Sequence, residues 1–488
     1  MNERFFLIAV LLPIVCGMAV PLAEKKGQRA MYLYVEAVTA ATSCLVWALI
    51  LFGSDGSFTL VQLTQDLALT LRFDGLGRFF AGIIATLWPL TVLYATEYMK
   101  HEERLGAFFS FFTMTYGVTL GVAMSANLFT MYSFYELLTL ATMPLVMQPM
   151  TRKAVRAAKT YFAFSLGGAA FAFTSIMYLI GNGCSGGFAP GGMLDASGKT
   201  DLTLAFYLVG FLGFGVKAAV FPTHRWLPKA SVAPTPVTAL LHAVAVVKSG
   251  AFAVIRLTFY AFGTDLLRGT WAQYAAMGFA VFTIFYGATR AVKEQHWKRR
   301  LAYSTVANLS YILFGVTMMT GAGLTAALLH MAFHAEIKIL SFFCAGAVLH
   351  GTGREYLPQL NGLGRKMPIT FGCFTVSALA LTGIPPLSGF VSKWYLLTAA
   401  ADSENGLAYF GAMVLLLGAL LTAIYMLGVV CRAWFPGQGT EDEKLTGEKE
   451  VSWRMTVPMV ILAAGILLTG IFAQPIVNAA LAIAQGMR

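Results

Sequence analysis

The chain has 488 residues, of which 58% are hydrophobic and 12% charged, and its mean hydropathy is +0.70. A soluble domain carries about 25% charged residues, so a water-soluble globular protein is excluded. The net charge of +11 does not mark a nucleic-acid binder, because the basic residues are spread over short loops and no polar stretch is long enough for a binding domain.

A bilayer core requires apolar runs of about 20 residues, and hydropathy marks fourteen of them. They lie near 5–22, 31–53, 76–98, 105–124, 128–149, 158–181, 203–227, 234–257, 271–291, 300–319, 324–349, 369–399, 407–433 and 455–482. The predicted fold is an all-α polytopic membrane protein. The first run follows Arg4 without a small-residue cleavage site, so it is expected to stay as the first spanning segment. Between segments 6 and 7, the glycine-rich stretch 182–202 begins beside a formal GxGxxG match (181–186). That match follows a spanning segment where a nucleotide site needs a strand, so it is read as a flexible loop. Between segments 13 and 14, the acidic stretch Glu441–Glu450 is read as a solvated loop.

The loops check the count. Those after odd-numbered segments hold 23 of the 34 Lys and Arg residues, whereas the even loops hold only Arg72, Lys199 and Arg268, with Arg78 at a segment start. A wrong count would scramble this alternation. Positive loops stay cytoplasmic, so both termini are expected on the outer side, in a prokaryotic cytoplasmic membrane.

Segments 7 and 12 are interrupted. Segment 7 reads FGVKAAVFPTHRWLP and segment 12 reads LTGIPPLSGFVSKW. Proline removes a backbone donor and breaks the helical ladder. Unpaired backbone at membrane depth is tolerated only where protein or a watery cavity satisfies it. Five segments apart, the two cross in opposite directions, as two inverted five-helix repeats (105–257 and 271–434) require. Paired broken helices of this kind point to a transport site. Flanking these repeats are the N-terminal segments 1–104, a loop at 435–454 and the last segment in 455–488.

Lys217, Lys248, Lys338 and Lys393 lie deep in apolar segments with Glu136 and Glu336, and His242, His330 and His334 join them. Arg256 is nearer a segment end, within snorkelling reach of the interface. Each deep charge costs about 2.5–3.5 kcal/mol at a bilayer centre, so the six must face one another or water inside the bundle. Lysine suits proton handling. Burial without a partner makes it give up its proton, and a carboxylate about 4 Å away restores the charge by roughly 4 kcal/mol at an effective dielectric of 20. Glu136 and Lys217 are assigned that role. His330, His334 and Lys338, spaced i, i+4 and i+8, share one helix face and make a titratable wire. Glu336 points elsewhere, toward an expected neighbouring subunit. The two histidines have metal-ligand spacing but no third soft ligand nearby, so no metal is assigned.

These residues carry a resemblance. The stretch FPTHRWLPKASVAPTPVTALLHAVAVVKSGAFAVIR (221–256), with Lys217 before it, LLHMAFHAEIKILSFFCAGAVLH (328–350) and GIPPLSGFVSKW (383–394) resemble the antiporter-like subunits of respiratory complex I, Mrp-type Na+/H+ antiporters and membrane-bound hydrogenases. The resemblance implies a fourteen-helix inverted-repeat fold. Glu136, in MYSFYELLTLATMPL, matches the family's helix 5 glutamate. Lys217, Lys248, Lys338 and Lys393 match its helix 7, 8, 11 and 12 lysines. It also implies that Glu136 and Lys217 gate the axis and that Lys393 exchanges protons with the outer side. Glu336 departs from many relatives, and its carboxylate is a candidate tuner of Lys338 or a sodium ligand. The expected function is proton translocation in a redox-driven complex, with further antiporter-like and small membrane subunits, a peripheral redox arm and lipids as partners. The alternative is a Mrp-type Na+/H+ antiporter subunit. No cofactor or redox centre is expected in this chain, since it has neither a CxxC pair nor histidines at haem spacing across two helices. A purely structural scaffold is disfavoured by the four deep lysines.

Overall fold

The computed structural model describes residues 3–53, 56–64, 67–194, 200–435 and 449–487. Most of the stretch Glu441–Glu450, with Lys444, lies outside them, as does Lys199. The chain is mostly helical, and helix occupies all fourteen apolar runs. It begins with α1 (Arg4–Met18), α2 (Val20–Glu24), α3 (Gln28–Phe52), α4 (Gly75–Tyr98), α5 (Leu105–Ala123), α6 (Leu128–Met147) and α7 (Arg152–Gly181). Side chains fix several starts. Asp74, Asn127, Thr151 and Thr200 accept hydrogen bonds from the backbone N–H three residues on, which satisfies donors that an open helix end leaves unpaired.

The chain continues through α8 (Asp201–Gly215), α9 (Trp226–Ala230), α10 (Thr235–Ala243), α11 (Val246–Ile255), α12 (Thr264–Leu267), α13 (Trp271–Lys293) and α14 (Trp297–Thr317). It ends with α15 (Gly321–Thr352), α16 (Pro368–Thr382), α17 (Ser388–Ala401), α18 (Gly406–Trp434), α19 (Trp453–Ile471) and α20 (Gln474–Gln485). Among the described residues, nine helical spans are long and apolar enough to cross a membrane. The longest, α15, packs against α4, α10, α14, α16, α17, α19 and α20, so its residues are central to the bundle.

Three local features depart from the expected pattern. The chain is not all-α, because β1 (Ser57–Gln62) and β2 (Ala68–Arg72) form an antiparallel hairpin with Ser57 opposite Arg72. The hairpin is held by distant groups. Thr70 N donates to Thr130 Oγ1 (2.9 Å), and Asn127 donates its side-chain amide to Ala68 O (2.9 Å). The last apolar run is two helices, since α19 stops before Pro475, whose ring removes a backbone donor from the first turn of α20. Segment 8 is also divided, at Val244–Ala245, and ends in a π-helical turn, Arg256–Phe262.

The two proline-marked interruptions are real breaks. After α8 the chain leaves the helix, passes through a left-handed Ala219 (φ 57°) and resumes at α9. After α16, Gly383 takes a left-handed cap (φ 98°) and helix resumes at α17. The peptide bonds Phe221–Pro222 and Pro385–Pro386 are cis.

Candidate functional site

Lys217 sits in the unwound stretch just past α8 and is fully buried. Its ammonium donates to the carbonyl oxygen of Tyr135 and lies 3.4 Å from the centre of that tyrosine's ring. Glu136, the next residue on α6, brings its carboxylate to 3.9 Å. The chain gets this close because Gly250 of α11 faces the break. A side-chain carbon there would come within 2.5 Å of Ala218 N and 2.9 Å of Lys217 Cβ. The expected Glu136–Lys217 pair is therefore present.

A second set of contacts runs through α11, α15 and α17. Lys248 Nζ is 2.6 Å from His334 Nδ1, and the His334 ring stacks on His330 with centroids 5.6 Å apart. His330 Nδ1 is 3.0 Å from Ser392 Oγ, beside Lys393 in sequence. Lys393 donates to the carbonyls of Leu381 (2.6 Å) and Thr382 (2.9 Å), the last residues of α16. Those carbonyls are free to accept because the break at 383–387 ends the helical ladder. Tyr311 flanks this end, with its ring 5.3 Å from His330 and 5.8 Å from Lys393 Nζ. The i, i+4 spacing thus does align His330 and His334, and both are buried.

Lys338 leaves that line. It turns to α14, donating to Ser304 Oγ (2.7 Å) and Leu301 O (3.1 Å). His242 is buried on α10, with Nε2 3.5 Å from Ser231 Oγ and its ring against Phe342. Among the described residues, His242 Nδ1, His330 Nε2 and His334 Nε2 have no hydrogen-bond partner, so each ring keeps one nitrogen unengaged.

Glu336 stands apart from both sets of contacts. It faces α19 of its own chain, where Thr469 Oγ1 donates to Oε2 (3.4 Å) and Gly465 leaves room beneath the carboxyl. There it borders a cavity of about 920 Å³, whose lining includes Trp47, Phe79, Phe333, Leu462 and Ile483. Helix geometry sent Glu336 away from His334 correctly, but which helix met it depended on packing.

Arg256 is a correction. It does not snorkel but is fully buried, and its two terminal nitrogens donate to the two oxygens of Asp74, both at 2.6 Å. The rings of Phe188, Phe252 and Tyr260 surround the guanidinium. The partner lies 182 residues away, so no local pattern marked it. Lys298 and Arg300, two of the 23 basic residues counted to the odd loops, are also buried at the start of α14, where Lys298 donates to Ala233 O (2.9 Å) and Arg300 to Tyr425 O (2.9 Å). Sequence reasoning missed Tyr135, Ser304, Tyr311, Ser392 and Tyr425 because uncharged hydroxyl residues do not stand out in apolar helices.

A family model for the transmembrane region of NADH:quinone oxidoreductase and Mrp antiporter subunits matches residues 125–422. NADH-quinone oxidoreductase subunit N of Desulforudis audaxviator is 31% identical over 84% of this chain and 83% of its own length. Na+/H+ antiporter subunit A1 of Staphylococcus aureus is 28% identical over 96% of this chain, which spans 61% of that longer relative. The fold matches chains in the Mrp complex from Dietzia sp. DQ12-45-1b (TM-score 0.87, 21% identity, 99% of this chain and 97% of the other) and in an archaeal membrane-bound sulfane sulfur reductase (TM-score 0.85, 21% identity, 99% and 97%). The matched residues 125–422 include every lysine and histidine of the buried line, and the chain belongs to the NADH:quinone oxidoreductase/Mrp antiporter transmembrane family.

Proposed function

We propose that this chain is the proton-translocating, antiporter-like subunit of a multisubunit membrane complex driven by redox chemistry in a peripheral arm, of the complex I or membrane-bound hydrogenase kind. The observation that carries the reading is the run of buried contacts from Lys248 through His334 and His330 to Ser392, which stands next to Lys393 in the chain. With Lys393 counted, four of its five members titrate, and its two ends are lysines. A purely structural polar core has no need of ionisable groups at that cost. In this reading Glu136 and Lys217 gate the inner end. The charge on Lys217 follows the distance to its carboxylate, at roughly 4 kcal/mol for a 4 Å separation and an effective dielectric of 20. Lys393 exchanges protons with the outer side, and Lys338 and His242 flank the line.

The full organisation belongs to the same proposal. The chain crosses a prokaryotic cytoplasmic membrane fourteen times with both termini outward. Residues 105–257 and 271–434 form two inverted repeats, preceded by 1–104 and followed by the loop 435–454 and the last segment in 455–488. The two proline-broken helices, one in each repeat with a buried lysine beside the break, support it.

A second reading, a subunit of a Mrp-type Na+/H+ antiporter, is favoured by the 28% identity to Na+/H+ antiporter subunit A1 across 96% of this chain. The test is purification of the native complex in mild detergent, with its subunits identified and its iron, nickel and flavin quantified. Abundant iron with nickel or flavin is the expected result. Small membrane partners without redox metal would replace the first reading by the second. Alanine at Lys217 or Lys393 should abolish translocation while the complex still assembles, and normal translocation by both variants would overturn the site itself.

A further inference from the structure

A hydroxyl cluster beside Lys338 holds one proton between two acceptors. Ser304 Oγ accepts from Lys338 Nζ (2.7 Å) and from the Tyr425 hydroxyl (2.7 Å). The same phenol oxygen lies 3.1 Å from Thr422 Oγ1, and Thr422 donates its own hydroxyl proton to Gly418 O (2.7 Å). A threonine has one hydroxyl proton, so the Thr422–Tyr425 contact is a hydrogen bond only when Tyr425 is the donor. Tyr425 also has one proton, and it serves Ser304 or Thr422 but not both. Lys338, Ser304, Thr422 and Tyr425 are all at most 1% exposed, so bulk solvent does not supply a substitute partner.

The choice matters to Lys338. A serine oxygen has two lone pairs. With Tyr425 turned to Ser304, the ammonium and the phenol share that oxygen. With Tyr425 turned to Thr422, Lys338 has it alone, and a charge-assisted hydrogen bond is the stronger kind. We propose that Tyr425, acting through Ser304 and with Thr422 as its alternative acceptor, is a positioning residue that sets how firmly Lys338 holds its proton. This rests on the reading that Lys338 takes part in translocation. The other charged and titratable groups around it are His242 and Lys248 from α10 and α11, and His334 one turn away on α15. On the Tyr425 side stands Arg300, which donates to the Tyr425 carbonyl. Asn308, one turn along α14 from Ser304, donates to the Ser304 carbonyl (2.8 Å). The Asn308 side chain also reaches the Tyr425 phenol, so the two variants are read by the opposite signs of their shifts.

The experiment is the rate of proton translocation against pH, measured with the native complex in proteoliposomes. Thr422→Val removes the phenol's acceptor opposite Ser304, so Lys338 gives up its proton more easily and the half-maximal pH moves down by about half a unit to one unit. Tyr425→Phe removes the competing donor and moves it up by a similar amount. Thr422→Ser keeps the hydroxyl and restores the wild-type profile. Non-specific damage moves both profiles the same way, so shifts of one sign, or no shift, would overturn the inference. If Thr422→Val fails to assemble, the sign of the Tyr425→Phe shift decides. Lys338→Ala separates the two levels. Loss of translocation in that variant with unchanged profiles in the others sinks the hydroxyl switch alone, whereas normal translocation sinks the underlying reading.

Discussion

The two broken helices each bring one buried lysine beside a break, yet they equip it differently. Lys217 has a carboxylate, Glu136, at 3.9 Å as well as a carbonyl from Tyr135. Among the described residues, Lys393 has no carboxylate partner, only the carbonyls of Leu381 and Thr382, with an aromatic ring close by. A lysine with a carboxylate partner changes charge when that partner moves, because the interaction is steep in distance. A lysine held by carbonyl dipoles lacks that control and responds to the charges that reach it along the line. In the proposed function the first arrangement serves as a gate and the second as an exit.

The comparison can be broken most sharply at the exit. Lys393→Arg leaves a side chain that stays charged at every working pH. It should lower translocation by at least about tenfold, with the complex still assembling, as counted by subunit content and proteoliposome flux. The expected loss follows from the exit having to release its proton. Near-normal flux would mean that Lys393 only stabilises the end of α16. Glu136→Gln comes next. It deprives Lys217 of about 4 kcal/mol of charge interaction, roughly three pK units. Translocation should fall about tenfold and recover in part at lower pH, where Lys217 is reprotonated without help. No matching recovery is expected from Lys393→Arg, and a recovery there would erase the distinction between gate and exit.

His334→Phe leaves both ends intact and removes the partner of Lys248 between them. A several-fold fall in rate, with Lys217 and Lys393 still in place, would make the middle of the line necessary. An unchanged rate would mean that the two ends work independently. Within the line, the smallest effect is expected from Ser392→Ala. One neutral hydrogen bond contributes about 1 kcal/mol, so the rate should drop no more than about fivefold.

Asp74→Asn tests a region that belongs to neither break. Removing one partner of a buried ion pair costs about 3–5 kcal/mol, here at Arg256. The variant should lose thermal stability in detergent by several degrees, while any protein that assembles keeps its translocation per complex. Loss of translocation at full stability would instead draw the Asp74–Arg256 pair into the transport machinery.

Much of this site was legible in the sequence. Lysine and glutamate are so costly in a bilayer that Lys217, Lys248, Lys338, Lys393, Glu136 and Glu336 stand out in apolar runs. The spacing of His330 and His334 is a local property of one helix, so their alignment on one face needed only the 3.6-residue period. The proline pair at 385–386 and Pro222 marked the breaks for the same local reason.

The partners were not legible. Arg256 found Asp74 across 182 residues, and Lys338 left the face it shares with the histidines for Ser304 on another helix. Glu336 met Thr469 on α19, and the hairpin at 57–72 owes its place to Thr130 and Asn127. Composition and periodicity therefore determined by themselves that this is a membrane protein, which residues lie at depth and where two helices break, because each follows from short-range chemistry and the bilayer's demand on every polar group. Only the tertiary structure decided which of those groups meet, because the partner of a buried charge is chosen by how whole helices pack.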